Sequence, residues 1–267
     1  MFNWSCFLKA KVFSPLFSNA IRLFKSKSFP LNLHSVSSFK INLDSIINCI
    51  ASSFLLKFGF GEISGIDLTN ESKSILPTRN WKLGNIGEAW FVGDTINMGI
   101  GQGYISSTPL QLAVSLSAIA NKGKIFKPKL ISHNRLEDYE PQLLMEVQIQ
   151  NPRHWNIIEK SMVSVINAWN GTAHNLYDEG GITIAGKTGT AQIKSLTDQD
   201  LSVREEYEGV RKDIRNRDHA LFASYGPIPD PNLVVVVIVE NGESGSAVAA
   251  PIAKRLIEQY QINLNES

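Results

Sequence analysis

Glycine is missing from the first 58 residues of this 267-residue chain, although 19 glycines follow from Gly59 onward. Glutamate is missing as well until Glu62. A folded segment of that length ordinarily uses glycine for turns with positive φ. The N-terminal stretch therefore does not read as part of the domain behind it. Cysteine is scarce too: Cys6 and Cys49 are too few for a disulfide framework and fit no metal-ligand spacing. The longest mostly apolar run, Ile46 to Leu56, falls far short of the roughly 20 residues that a transmembrane helix needs. An excess of one charge is also lacking. With 26 Lys+Arg against 25 Asp+Glu, nothing supports a nucleic-acid partner, which would usually call for a distinctly basic chain. No internal repeat is visible, and no metal or other cofactor is expected.

What is present is unevenly distributed. Residues 1–56 hold six Lys/Arg and the single acid Asp44, a formal +5. The remaining residues hold 20 basic and 24 acidic groups, a formal −4. Eight of the 13 Phe and 11 Ser fall in the first part. We expect two segments: an atypical leader over residues 1–56, non-native or disordered, and a folded unit over residues 57–267. A basic, acid-poor, Ser- and Phe-rich leader also fits a targeting peptide or a membrane-surface helix. The length and the 43% hydrophobic content suit one large domain or two small ones.

Beyond Lys57, Lys57 to Asp67, Pro77 to Trp81 and Gly93 to Ser107 read as irregular, glycine-punctuated segments. Gly99, Gly101 and Gly103 are given turn roles there. Thr108 is a helix cap with Pro109 in the first turn, and Lys122-Gly123 ends that helix. Ile158, Met162, Val165, Ile166 and Trp169 recur at helical spacing and predict a helix over 157–169. Gly186 to Lys194, His219 to Pro227 and Leu233 to Glu240 read as strands. Val248, Ile252, Leu256 and Tyr260 mark a C-terminal helix. Strands that follow one another without an intervening helix predict antiparallel pairing in an α/β (α+β) fold.

The densest chemistry lies at Gly181 to Gln192, GITIAGKTGTAQ. Gly181 to Thr188 satisfies the P-loop spacing, which would make the chain a nucleotide-binding protein. A P-loop, however, needs a buried strand before its first glycine and a helix starting at Lys-Thr. Here HNLYDEG precedes it and Gly189, a poor residue for a helix's first turn, follows. The alternative places Lys187-Thr188-Gly189 on a strand beside an active site.

Residues 57–260 resemble the transpeptidase domain of class B penicillin-binding proteins of the rod-elongation type. The segments that carry the resemblance are KFGFGEISGID, PTRNW, GDTINMGIGQGY, the Thr-Pro-Leu-Gln helix start, GTAHN, AGKTGTAQ, HALFASYGP, VVVVIVENG and AAPIAKR, in one order. The resemblance implies the penicillin-binding transpeptidase/β-lactamase-like fold, an antiparallel sheet flanked by helices, here incomplete. It implies a peptidoglycan D,D-transpeptidase in which a serine attacks a D-Ala-D-Ala stem peptide, and β-lactams acylate the same serine. It further implies rod-elongation proteins as partners and the periplasmic face of the bacterial inner membrane as location, although no anchor or signal peptide is visible in the sequence. On this resemblance Lys187, Thr188 and Thr190 are expected to anchor the substrate carboxylate, Gly189 to leave room for the peptide, and the Thr190 N–H to be an oxyanion donor. His219 matches a family position, with a structural hydrogen bond as its expected role.

The family nucleophile and base come as Ser-x-x-Lys. The chain has one such match, Ser37-Ser38-Phe39-Lys40, so Ser37 and Lys40 are the catalytic candidates. Only 16 residues separate Lys40 from Lys57, and no serine among them begins the Ser-x-Asn or Ser-x-Asp that should follow. A second possibility is therefore a catalytically inactive remnant that binds peptide or partner proteins. The shortened leader also predicts exposed faces on the helices at 110–121 and 157–169.

Overall fold

The structure is a computed structural model and describes residues 2–3, 52–99, 101–130, 141–191 and 217–266. In chain order the elements are β1 (Phe2–Asn3), α1 (Arg79–Ile86), α2 (Val92–Gly99), β2 (Ser106–Ser107), α3 (Pro109–Ala120), β3 (Lys124–Phe126), β4 (Leu143–Glu146) and α4 (Arg153–Asn167). A 3-10 turn (His174–Leu176), β5 (Ala185–Ala191), β6 (His219–Gly226) and β7 (Leu233–Val239) follow. A π turn (Gly245–Ala249) then runs into α5 (Ala250–Glu266). Strands β5, β6 and β7 form an antiparallel sheet in that order, and the pairs β1–β2 and β3–β4 are small separate ribbons.

The central strand β6 explains the layering. Its residues alternate between faces, as the two-residue period of a strand requires. Leu221, Ala223 and Tyr225 join a core with Leu112 and Leu116 of α3 and Trp155, Ile158 and Met162 of α4. Ala220 and Phe222 join a second core with Ile166, Leu176, Ala249, Ala253 and Ile257. Strand β7 (LVVVVIV) divides the same way, with Val235 on the α5 side and Val234, Val236 and Ile238 on the α3 side. The expected antiparallel sheet flanked by helices is what the chain forms.

Helix α3 starts as its sequence dictates. The Thr108 hydroxyl accepts from the Gln111 amide at 3.1 Å and the Gln111 side chain accepts from the Thr108 amide at 3.1 Å, a reciprocal capping box with Pro109 at the first helical position. Gln111 is buried and does more than cap. Its Nε2 donates to the carbonyls of Glu62 (2.7 Å) and Lys73 (2.9 Å), and its Oε1 accepts from the Ser74 hydroxyl at 2.7 Å. One side chain thus ties the irregular segment 62–74 to the helix. Leu112 and Leu116 on the same helix are fully buried, each contributing roughly 1.5–3 kcal/mol.

Several expectations change. The α3 face expected to be exposed is buried against the sheet, and α4 buries Trp155, Ile158, Met162 and Ile166. Helix α4 begins at Arg153 and ends before Trp169, which is 85% exposed. Helix α5 exists, but its apolar positions face the other way: Ile252, Leu256 and Tyr260 are exposed, and Ala250, Ala253 and Ile257 are buried. The segments 77–81 and 93–107 are not wholly irregular, because they carry α1 and α2. Gly101 and Gly103 adopt the positive φ of a turn, whereas Gly99 closes α2.

Candidate active site

Strand β5 gathers four predicted residues into one run. Lys187 pairs with Ala223, Thr188 with Phe222, Gly189 with Leu221 and Thr190 with Ala220. Cross-strand partners share a face, so Lys187 and Gly189 lie on the α3 side and Thr188 and Thr190 on the α5 side. Beyond β5 no further described strand follows, so its outer edge is open among the described residues. An open edge offers backbone N–H and C=O groups to an extended peptide.

Side chains on both faces are anchored. The Lys187 Nζ donates to the Thr188 carbonyl at 2.6 Å. The Thr188 hydroxyl donates to the Thr172 hydroxyl at 3.2 Å. Gly186 faces the Phe222 ring so closely that an added Cβ would sit 2.4 Å from its Cζ. This also removes the nucleotide-loop alternative. Gly186, Lys187 and Thr188 lie within a paired strand, and Gly189 to Ala191 continue that strand instead of opening a helix.

The loop after β7 borders the same strand end. His219 accepts from the Asn241 amide at 2.9 Å through Nδ1, so its neutral ring carries the hydrogen on Nε2. This is the structural hydrogen bond expected for it. Asn241 Nδ2 donates to the Arg217 carbonyl and the Glu243 amide to the Asp218 carbonyl, fastening the loop to the start of β6. Thr172, Asn241 and Gly245 were not singled out as site residues. The segment GTAHN held the one available signal, a Gly-Thr-Ala directly after a helix end.

Ser37 and Lys40 lie outside the described residues, as does the chain's one Ser-x-Asn, Ser132-His133-Asn134. The structure thus brings Lys187, Thr188, Gly189 and Thr190 together and gives no distance from them to a nucleophile.

A second polar cluster sits between α1 and α2. The Lys82 ammonium, only 2% exposed, donates to Asp94 Oδ2 at 2.7 Å and lies 4.5 Å from the Phe91 ring centroid. Asp94 also accepts from the Phe91 amide at 2.7 Å, which fixes the start of α2. The hydrogen bond to Asp94 is the main reason the Lys82 ammonium is held above its ordinary range, against the opposing effect of burial. A cavity of about 170 Å³ beside this pair is lined by Trp90, Asp94, Asn97 and Tyr104 and includes none of the β5 residues. Among the described residues no group of His, Cys, Asp and Glu could hold a metal ion.

The family model of the penicillin binding protein transpeptidase domain matches residues 40–258. The chain belongs to the penicillin-binding protein transpeptidase family. It is 39% identical over 215 residues to the peptidoglycan D,D-transpeptidase MrdA of Haemophilus influenzae, covering 78% of this chain and 32% of that protein. The chain thus spans about a third of the length of the curated relatives it matches. Among solved structures, Pseudomonas aeruginosa PBP2 in complex with WCK 5153 superposes with a TM-score of 0.65 at 32% identity, over 81% of this chain and 46% of that one. Helicobacter pylori PBP2 in complex with MreC gives a TM-score of 0.64 at 28% identity, over 82% and 38%. The penicillin-binding fold of these neighbours is the fold of this chain.

Proposed function

We propose that this chain carries the substrate strand of a peptidoglycan D,D-transpeptidase of the rod-elongation type. The observation that supports this most directly is β5, a strand with its outer edge open among the described residues and bearing Lys187-Thr188-Gly189-Thr190 within a penicillin-binding transpeptidase domain. A stem peptide ending in D-Ala-D-Ala lies along that edge. Its carboxylate is met by the Lys187 charge and by the Thr188 and Thr190 hydroxyls, and the Thr190 N–H is half of the oxyanion hole. Ser37 is the nucleophile and Lys40 its base. Attack by the Ser37 Oγ on the penultimate carbonyl forms an ester and expels D-Ala, Lys40 taking the serine proton and returning it to the leaving amine. The amine of a second stem peptide then displaces the serine and forms the cross-link. β-Lactams open on the same serine.

We place the folded unit at residues 57–267, extended at its start by Phe54 and Leu55, which pack into its core; residues 1–56 differ from it in composition. We place the activity at the periplasmic face of the inner membrane, alongside elongation-complex proteins. The MreC complex of the Helicobacter pylori relative supports the choice of partner. Among the described residues no helix is long and apolar enough to cross a membrane.

Intact-mass spectrometry after incubation with a β-lactam tests the proposal, with Ser37→Ala as control. One β-lactam per chain, lost in Ser37→Ala, is the expected result. The 16 residues between Lys40 and Lys57 favour a second reading, a peptide-binding domain without acylation. Its signature is a folded sample that forms no adduct but still binds a D-Ala-D-Ala peptide.

A further inference from the structure

We infer that Thr172 is a further residue of the carboxylate anchor on β5, donating its hydroxyl hydrogen to the terminus of the bound peptide. The inference rests on the proposed substrate strand. A threonine hydroxyl has one hydrogen to give. In the peptide-free strand that of Thr188 is directed at the Thr172 oxygen, 3.2 Å away, so Thr188 meets the carboxylate only once it gives up this bond. The hydrogen still to be placed in this pair therefore belongs to Thr172, whose side chain is exposed beside the strand. An incoming carboxylate offers acceptors only, so it needs an outward hydrogen. Thr188 and Thr190 share the α5 side of β5, and Thr172 meets the Thr188 hydroxyl.

Thr172 is held where it is. The Gly171 amide donates to the Ala168 carbonyl at 2.8 Å and the Ala173 amide to the Val165 carbonyl at 2.9 Å, so both neighbours are tied to the end of α4. His174 Nδ1 bonds the Ile166 carbonyl at 3.0 Å. Asn175 Nδ2 donates to the Ser246 carbonyl at 3.2 Å and Lys254 Nζ to the Leu176 carbonyl at 3.0 Å, which fastens the loop to the π turn and to α5 as well. Ala173, next to Thr172, is fully buried. A hydroxyl on so fixed a loop loses little entropy when it engages a ligand.

Calorimetric titration with a peptide ending in D-Ala-D-Ala, as free acid and as C-terminal amide, tests this on the full chain. The parent is expected to prefer the acid, and Lys187→Ala to remove that preference. Without a preference in the parent, the substrate-strand reading fails and the inference falls with it. Given the preference, Thr172→Val should weaken acid binding about ten-fold or more, the loss of one hydrogen bond to a charged group. Amide binding should stay unchanged, and Thr172→Ser should restore the acid. Equal weakening of acid and amide would mean a merely structural role and would overturn the assignment. So would Thr172→Val binding the acid as the parent does.

Discussion

Gly245 lies across the backbone of Gly189. A Cβ placed on Gly245 would sit 2.6 Å from the Gly189 carbonyl oxygen and 3.1 Å from its amide nitrogen, and 2.4 Å from the carbonyl oxygen of Leu221, the register partner of Gly189. The turn leading into α5 therefore presses on the strand that carries the candidate anchor. Gly245→Ala must push that turn off β5. We expect a loss of about 2 kcal/mol in stability, as for other overpacked sites, together with weaker binding of the D-Ala-D-Ala peptide. Denaturant unfolding and peptide titration check both. A variant with parental stability and parental affinity would contradict the close approach.

Gln111 is the next point of test. Its buried amide serves the carbonyls of Glu62 and Lys73, the Ser74 hydroxyl and the Thr108 amide at once. Gln111→Ala leaves these groups without their partner, and we expect a cost of about 3 kcal/mol. Thr108→Ala removes only the cap and should cost about 1 kcal/mol. Urea midpoints of the two variants give the comparison. Equal losses would show that the network beyond the cap contributes nothing.

Lys82 makes a pH-dependent prediction. A lysine whose folded value lies above its ordinary 10.5 contributes stability that is complete below that value and is lost as pH rises through the folded one. The parent should therefore lose thermal stability in the strongly alkaline range. Lys82→Met should start with a melting temperature several degrees lower at neutral pH, because Asp94 is left without its cation. It should then show a flatter alkaline limb. Parallel curves for the two proteins would remove Lys82 as the cause.

Gly186 and Phe222 should behave as a coupled pair. The phenyl ring fills the space a side chain at 186 would need. Gly186→Ala alone is expected to cost about 2 kcal/mol, and Phe222→Leu alone to cost less than the 3–5 kcal/mol of a full truncation. Combined, the smaller side chain makes room for the new methyl, so the double variant should be more stable than the sum predicts by about 1 kcal/mol. Strict additivity, measured by denaturant unfolding, would mean that the ring moves aside freely.

The α3 start, the three strands and the Lys-Thr-Gly run were legible because each has a local cause. Thr108-Pro109 is a cap with a pre-set φ, and LVVVVIV is apolar on both faces because the sheet is covered on both. The face of α5 was not legible. Large apolar residues at 252, 256 and 260 suggested the buried side, yet the helix needs small side chains where it closes on the sheet, and Ala250 and Ala253 supply them. Helices α1 and α2 were hidden for the opposite reason. Lys82 points inward to Asp94 and Leu83 and Ile86 point outward, which inverts the usual pattern. Thr172 was out of reach because its contact with Thr188 joins positions 16 apart through the end of α4 and a turn.

The β5 edge, open among the described residues, also bears on what the protein avoids. A bare strand edge recruits other chains into sheet growth when it is long, flat and hydrophobic. Strand β5 is Ala-Gly-Lys-Thr-Gly-Thr-Ala, a run with a cation, two glycines and no large apolar side chain. A second strand laid against it would find little to bury and a charge beside it. An edge of this composition suits the proposed short peptide held by its terminus while discouraging runaway stacking of one copy on another.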